Sequence, residues 1–324
     1  MDDLQPGELL DGRFKILGLL TRGGFSSVFK AVDGTTSEIV VVKTPLPHIE
    51  SDPAGYSRYL SEAAIGQRLQ HRGILRFIPL EERNKTRPYV ATEYLEGETL
   101  WDRLQEVRIF PPEAALYFGA RICDALEYLH DQNIVHCDLK PGNIMLCTDG
   151  SVRIMDLGLA RQAAPRRLTL PGFSQRFGTP DYMAPEQVVG RSAGARTDIY
   201  GLAAVLYEML TGHLPFEGES DLDRMNARLT GDPIAPRERN PNLSLEVEEI
   251  ILHALARDPA DRYPSAAAMK VDLEAPDRVI VTGRATRLRP PAPANIWVRR
   301  AWTTAIALLV PVVMFVLLFL ALRH

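Results

Sequence analysis

His136-Cys137-Asp138-Leu139-Lys140-Pro141-Gly142-Asn143, followed by Asp156-Leu157-Gly158, places two carboxylates, a carboxamide and an ammonium within a short span of chain. Hard oxygen donors of this kind suit Mg²⁺, which takes one or two carboxylates together with substrate phosphates. Hydrolysis without a cofactor accounts for the set less well. Upstream, the runs 13–20, 27–32 and 38–43 are alternating or β-branched and are separated by the turn residues Gly23-Gly24 and Asp33-Gly34. One helical stretch, 56–69, interrupts them. Downstream the runs lengthen, and 113–131, 198–211 and 245–257 carry helix-spaced apolar residues. The chain therefore reads as α+β, a small sheet-rich lobe followed by a larger helical one, with a cleft between lobes as the natural place for a ligand.

Composition narrows the class. The 324 residues are 46% hydrophobic and 24% charged, which excludes a disordered or collagen-like chain and leaves room for one large or two modest domains. Net charge is −4, but six arginines against one aspartate in 275–300, with Arg323 beyond them, leave residues 1–274 at −10. So acidic a body argues against nucleic acid as a partner. The three cysteines, Cys123, Cys137 and Cys147, form no CxxC pair, and a reducing compartment is expected. The N terminus has neither the charge nor the apolar run of a secretion signal, which places the body in the cytoplasm.

Two upstream features matter only through their order. Gly23-Gly24 alone would be a hairpin, and Lys43, ending the apolar strand Ile39-Val40-Val41-Val42, would alone be an ordinary solvated lysine. A helix carrying Glu62 follows, and pairing with that carboxylate would hold the Lys43 ammonium toward phosphates.

With these residues in view, the sequence strongly resembles the protein kinase family, specifically the bacterial eukaryotic-like serine/threonine protein kinases, over about residues 8–274. The resemblance rests on the loop Leu20-Thr21-Arg22-Gly23-Gly24-Phe25-Ser26-Ser27-Val28, on Lys43 and Glu62, on the HxDLKPxN run and on Asp156-Leu157-Gly158. Gly178-Thr179-Pro180-Asp181-Tyr182-Met183-Ala184-Pro185-Glu186, Thr197-Asp198-Ile199-Tyr200-Gly201 and Arg262 complete it. It implies a bilobal fold, a kinase domain at 13–274 divided near residue 95 after an N-terminal extension at 1–12; composition, not the resemblance, adds a Pro/Arg-rich juxtamembrane linker at 275–300 and a transmembrane helix at 301–322.

The resemblance also implies roles. Phosphoryl transfer asks the protein mainly for positioning and charge neutralisation. The loop from Leu20 to Ser26, including Thr21, Arg22, Gly23, Gly24 and Phe25, would cover the ATP phosphates, which Lys43, steadied by Glu62, would contact. Asn143 and Asp156 would hold Mg²⁺, or Mn²⁺ in its place. Asp138 would accept the proton of the acceptor hydroxyl, and Lys140 would stabilise the transferring phosphoryl group. Thr92 stands as gatekeeper, Glu93 to Leu95 as the hinge meeting adenine, and Leu20, Val28, Val41 and Met145 as the walls around the ring. Glu186 with Arg262, and Asp198 beneath the catalytic loop, would be structural. Lys140 and Thr179 point to Ser and Thr acceptors on proteins, the chain itself included, and Lys140 disfavours a small-molecule kinase. A nucleotide-binding pseudokinase scaffold at the membrane is the alternative.

Four departures qualify the family pattern. Thr21 and Ser26 stand where the fuller pattern has glycine, so nucleotide affinity is expected to be modest. Leu157 replaces the usual Phe. Cys137 replaces the Arg that would pair with a phosphate on Thr169, Ser174 or Thr179, so activation-loop phosphorylation is not expected to be the on-switch. Gly66, one turn after Glu62, is expected to leave a gap toward Leu157 and to loosen the helix, which a second copy in the membrane plane would then capture.

The C-terminal stretch is of another kind. Residues 301–322 are uncharged, and as a helix they would span roughly 33 Å, enough to cross a bilayer. Trp297 and Trp302 suit its interface, and Pro311 could kink it. Arg299 and Arg300 place residues 1–300 on the cytoplasmic side of a single-pass cell-membrane protein, with almost nothing beyond the span. The linker, rich in Arg and Pro, reads as an extended tether facing anionic lipid.

Overall fold

The computed structural model describes residues 3–80, 85–157, 160–162 and 180–289. The N-lobe sheet is an antiparallel meander of β1 (Leu9–Leu10), β2 (Phe14–Arg22), β3 (Ser26–Asp33), β4 (Ile39–Pro45) and β5 (Val90–Glu93), in that spatial order. Side chains alternate as a pleated strand requires. Phe29, Ala31, Val40 and Val42 are buried on the back of the sheet with Phe14, Ile16, Ile78, Tyr89 and Ala91. Val28, Lys30, Val41 and Lys43 are half-buried on the opposite face. Register sets Val28 against Lys43 and Val41 against Thr92. Between β4 and β5 lie α1 (Pro47–Glu50) and α2 (Pro53–Gly66).

The extension read ahead of residue 13 packs onto this lobe. Leu4 and Leu10 are 3% exposed and belong to the back-face core, while β1 pairs with β2. Residues 3–12 are therefore part of the N-lobe. Two leucines between polar residues are too sparse a pattern to show this in sequence.

The C-lobe begins with β6 (Gly97–Thr99), α3 (Leu100–Val107) and the long α4 (Pro112–Asp131). β7 (Ile134–Val135), β8 (Ile144–Cys147), β9 (Val152–Ile154) and β10 (Arg161–Gln162) then form two small sheets, β6-β8-β9 and β7-β10. After α5 (Pro185–Val188) comes α6 (Ala195–Thr211), nearly every residue of which is buried. It is the axis of the lobe and ends on Gly212 in the left-handed conformation, a common way to close a helix. Around it stand α7 (Asp221–Thr230), α8 (Pro236–Arg239), α9 (Leu245–Ala254) and α10 (Ala266–Glu274). Leu202, Val205, Leu206, Met209 and Leu210 are fully buried, and cutting any of them to Ala should cost about 2–5 kcal/mol.

The expected tether differs from what the structure shows over 275–289. Pro276–Arg278 form a 3₁₀ turn, and α11 (Arg284–Arg287) packs beside α9. The buried Glu249 of α9 accepts hydrogen bonds from Thr282 Oγ1 at 2.5 Å and from the backbone N–H of Arg284 at 3.2 Å, while Arg284 Nε lies 3.2 Å away. The Arg289 N–H donates to Asp232 at 2.8 Å. Docking through backbone groups and a carboxylate leaves no apolar periodicity to read in sequence. The candidate span 301–322 lies outside the described residues. No helix among the described residues is long and apolar enough to cross a membrane.

Candidate active site

The site is built from the inner face of the N-lobe sheet, α2 and the loops around β8 and β9. Lys43 Nζ donates to both oxygens of Glu62, at 2.8 and 2.9 Å, and lies 3.5 Å from Asp156 Oδ1. One ammonium thus joins a strand and a helix of the N-lobe to a loop of the C-lobe. Burial works against that charge, but Asp156 and Glu62 more than reverse the effect, and the Lys43 pKa is raised above its ordinary value. Burial also lifts the Glu62 carboxyl above its ordinary value, against the pull of Lys43.

The second cluster follows β7. Asp138 Oδ2 accepts from Lys140 Nζ at 2.7 Å and from Asn143 Nδ2 at 3.0 Å, and Asn143 Nδ2 also donates to the Asp138 carbonyl at 2.8 Å. The two clusters are coupled through Met155, the residue before Asp156. Its N–H donates to the Asn143 carbonyl at 2.8 Å, and its carbonyl lies 3.2 Å from His136 Nε2. Asp198 of α6 braces the loop from below, taking the N–H groups of His136 and Cys137, each at 2.9 Å. Cys137 and Asp156 hold positive φ, at 67° and 56°. Such strain persists only where neighbours over-determine the backbone, as they do here, and it is common at functional sites.

The metal-ligand reading fits the donor set. The amide nitrogen of Asn143 is occupied by Asp138, which leaves Oδ1 as its free donor, and the Asp156 side chain is 46% exposed. A carboxylate and an amide oxygen, completed by substrate phosphates, make a site for a hard divalent cation. Among the described residues there is no cluster of three or more His, Cys, Asp or Glu that would hold a metal without such help.

The candidate nucleotide residues line one face. Val28 and Val41 are half-buried on the inner side of the sheet, with Thr92 buried in β5 and Met145 half-buried in β8. Glu93 closes β5 and accepts the Arg76 N–H at 2.8 Å, and the half-buried Leu95 follows. Leu20, Thr21, Gly23, Gly24 and Phe25 are exposed around the turn, whose Gly23 N–H donates to the Ser26 carbonyl at 2.9 Å. A Cβ on Gly23 would come no closer than 3.8 Å to another atom and one on Gly24 would meet nothing within 4 Å. The chain itself therefore does not require these glycines, and they leave open space against the turn that a ligand could approach. Arg22, exposed at the start of the same turn, pairs through its guanidinium with Asp3.

The gap expected at Gly66 is also absent. Gly66 ends α2 rather than lying inside it, and a Cβ there would lie 2.4–2.6 Å from the ring of Phe77. Phe77 fills the space and requires the glycine. Cys137 is buried, with Sγ 3.6 Å from the Val135 carbonyl, as suits a small packed side chain. Gly158 and the candidate phosphosites Thr169, Ser174 and Thr179 lie outside the described residues.

Behind the site, the chain just C-terminal to those residues is tied down. Glu186 and Arg262 form a buried two-pronged pair, each bond 2.8 Å, and Thr197 Oγ1 also donates to Glu186 at 2.8 Å. Sequence reasoning missed a second tie. Arg228 of α7, 2% exposed, donates to the carbonyls of Pro180 and Asp181 at 2.7 and 2.5 Å, and Arg224 binds the Asp181 carboxylate at 2.6 Å. Two arginines four apart on one helix were the only hint of it.

A curled sheet over a helical lobe, a lysine bridging them and an Asp-Lys-Asn loop define a phosphoryl-transfer fold with a nucleotide cleft. The chain belongs to the protein kinase family, whose domain description matches residues 14–273. It is 37% identical over 269 residues to a probable serine/threonine-protein kinase of Streptomyces coelicolor, covering 82% of this chain and 40% of that protein. It is 35% identical over 303 residues to the serine/threonine-protein kinase PknB of Mycobacterium tuberculosis, covering 90% of this chain and 48% of the other. PknB of Mycobacterium leprae is 36% identical over 267 residues, 82% of this chain and 43% of that one. The chain thus spans less than half the length of these relatives. The family implies a nucleoside triphosphate, a divalent cation and a protein acceptor.

Proposed function

We propose that the chain is a membrane-anchored serine/threonine protein kinase that moves the γ-phosphoryl group of ATP, with Mg²⁺ or Mn²⁺, to hydroxyls of other proteins and of itself. The observation that carries this is the Lys43 ammonium held between Glu62 and Asp156, beside an intact Asp138-Lys140-Asn143 cluster. The cation, when bound, neutralises phosphate charge. Lys43 orients the phosphates, Asp156 and Asn143 Oδ1 present the cation's oxygen ligands, and Asp138 aligns the acceptor hydroxyl and takes its proton. Lys140, now 2.7 Å from Asp138, supplies positive charge where the transferring group passes.

The membrane part rests on sequence. The uncharged stretch 301–322 would anchor the chain, and the arginines of 275–300 would face anionic lipid with the kinase domain on the cytoplasmic side. A pairing with a second copy was expected from a gap at Gly66, and with Phe77 in that space we propose no dimer on this ground. Phosphates on Thr169, Ser174 or Thr179 would lack the arginine that Cys137 replaces, so we propose that they are not the on-switch. Thr169→Ala/Ser174→Ala should keep activity within a few-fold, and a hundredfold loss would reject the idea.

The test uses the full chain in lipid vesicles with radiolabelled ATP, Mg²⁺ and a generic basic protein. Label on Ser or Thr, lost in Lys43→Met and in Asp138→Asn, is the expected result. Nucleotide binding without any label would favour the pseudokinase scaffold.

A further inference from the structure

The Gly-rich turn departs from its family pattern at Thr21 and Ser26, and β2 leading into it is irregular. Its pairing with β3 slips twice, between Ile16 and Gly18 and between Leu19 and Thr21. The last matched residues before the turn are Arg22 and Ser27. Both reach the same carboxylate. Asp3 accepts from Ser27 Oγ at 3.3 Å and pairs through its other oxygen with the Arg22 guanidinium.

Asp3 is itself held. The next residue, Leu4, is 3% exposed among Phe14, Ile16 and Phe29 on the back of the sheet. The Gly7 N–H donates to the Ile16 carbonyl at 2.8 Å and the Ile16 N–H to the Glu8 carbonyl at 2.9 Å. Ser27 is fully buried on the same back face, whereas its neighbour Val28 faces the cleft. Asp3 therefore clasps both sides of the hairpin neck from behind. On the far side of the turn, the Leu46 N–H donates to the Phe25 carbonyl at 3.0 Å.

We propose that Asp3 is a positioning residue for the nucleotide: by joining Arg22 to Ser27 it holds the phosphate-binding turn in register over the cleft. This deepens the kinase reading and rests on it. The clasp supplies, from outside the ladder, the order that the slipped β2–β3 pairing lacks. It also turns the Arg22 charge away from the phosphates, so that the turn presents backbone N–H groups to them.

The experiment compares the full chain with Asp3→Ala and Asp3→Glu, measuring ATP KM and kcat on a generic basic protein and amide hydrogen exchange over residues 21–28. Asp3→Ala should raise KM about threefold to tenfold, the worth of one hydrogen-bonded ion pair, while kcat changes less than twofold. Exchange in the turn should quicken by a similar factor, and Asp3→Glu should stay close to wild type in both. The exchanged pair Asp3→Arg/Arg22→Asp should recover slow exchange. Unchanged KM and unchanged exchange in Asp3→Ala would overturn the proposal. A wild-type chain that binds no ATP would overturn the kinase reading and the positioning role with it, and the exchange data would still show whether the clasp exists, so the two failures are told apart.

Discussion

At Gly66 the decisive quantity is a distance. A Cβ would lie 2.4 Å from Phe77 Cε2 and 2.6 Å from Cγ, the fixed base of the ring, so the ring cannot swing aside cheaply. Gly66→Leu should therefore push α2 outward and lengthen the Lys43–Glu62 contact. Overpacking of this kind costs about 1–3 kcal/mol, so kcat/KM should fall on the order of tenfold, with Gly66→Ala intermediate. Adding Phe77→Ala to Gly66→Leu should restore much of the loss, and a double variant no better than the single one would reject the account. From sequence alone the opposite outcome looked reasonable, because Phe77 lies in an irregular stretch with nothing to pair it to Gly66. Lys43, Glu62, Asp138, Lys140, Asn143 and Asp156 were legible because their chemistry demands these residue types in this order. Contacts such as Gly66 with Phe77 or Asp3 with Arg22 depend on the folded path and leave no local pattern.

Among the elements, the strands and long helices were legible for physical reasons. β3 and β4 alternate between a buried back and a cleft face, and α4 and α9 carry apolar residues at helical spacing. Element ends were less so, as the helix expected over 56–69 runs from Pro53 to Gly66. What joins the elements was partly hidden. The guanidinium of Arg262 sits 4.7 Å over the Tyr200 ring and donates to Glu186 and to the carbonyls of Arg196, Ala256 and Arg257. Removing one partner of a buried pair leaves the other charge uncompensated, at about 3–5 kcal/mol. Arg262→Ala should accordingly lower Tm by on the order of 10 °C in a thermal melt. Arg262→Lys should lose nearly as much, since a single ammonium cannot reproduce a two-pronged contact with five acceptors around it. Arg228→Ala should behave differently. It would free the carbonyls of Pro180 and Asp181 and loosen one end of the activation segment, so activity should fall more steeply than Tm.

On the scale of the whole molecule, the docked tail would shorten the path from the kinase lobe to the proposed anchor at 301–322. If residues 276–289 were free, the lobe could roam on a tether of some 25 residues, whereas docking leaves the stretch from 290 to 300, at most roughly 40 Å when fully extended. Glu249 is the pin. Burial alone would raise its pKa, but the hydroxyl of Thr282, the N–H of Arg284 and the Arg284 charge outweigh that and hold it below its ordinary 4.5. A carboxyl whose folded pKa is depressed adds stability that is complete above the unfolded value and is lost as pH falls through the folded one. The dock should therefore be firm at neutral pH and loosen in acid somewhere below 4.5. Glu249→Gln should produce the loosened state at pH 7, where the rest of the fold is undisturbed. Limited trypsin digestion reads this directly, because Arg284 and Arg287 become cleavable when α11 leaves α9. Cleavage there should quicken severalfold in the variant, with cutting elsewhere and Tm little changed. Equal cleavage in both proteins would mean that Glu249 does not hold the tail and that the lobe's reach is set by the whole of 275–300.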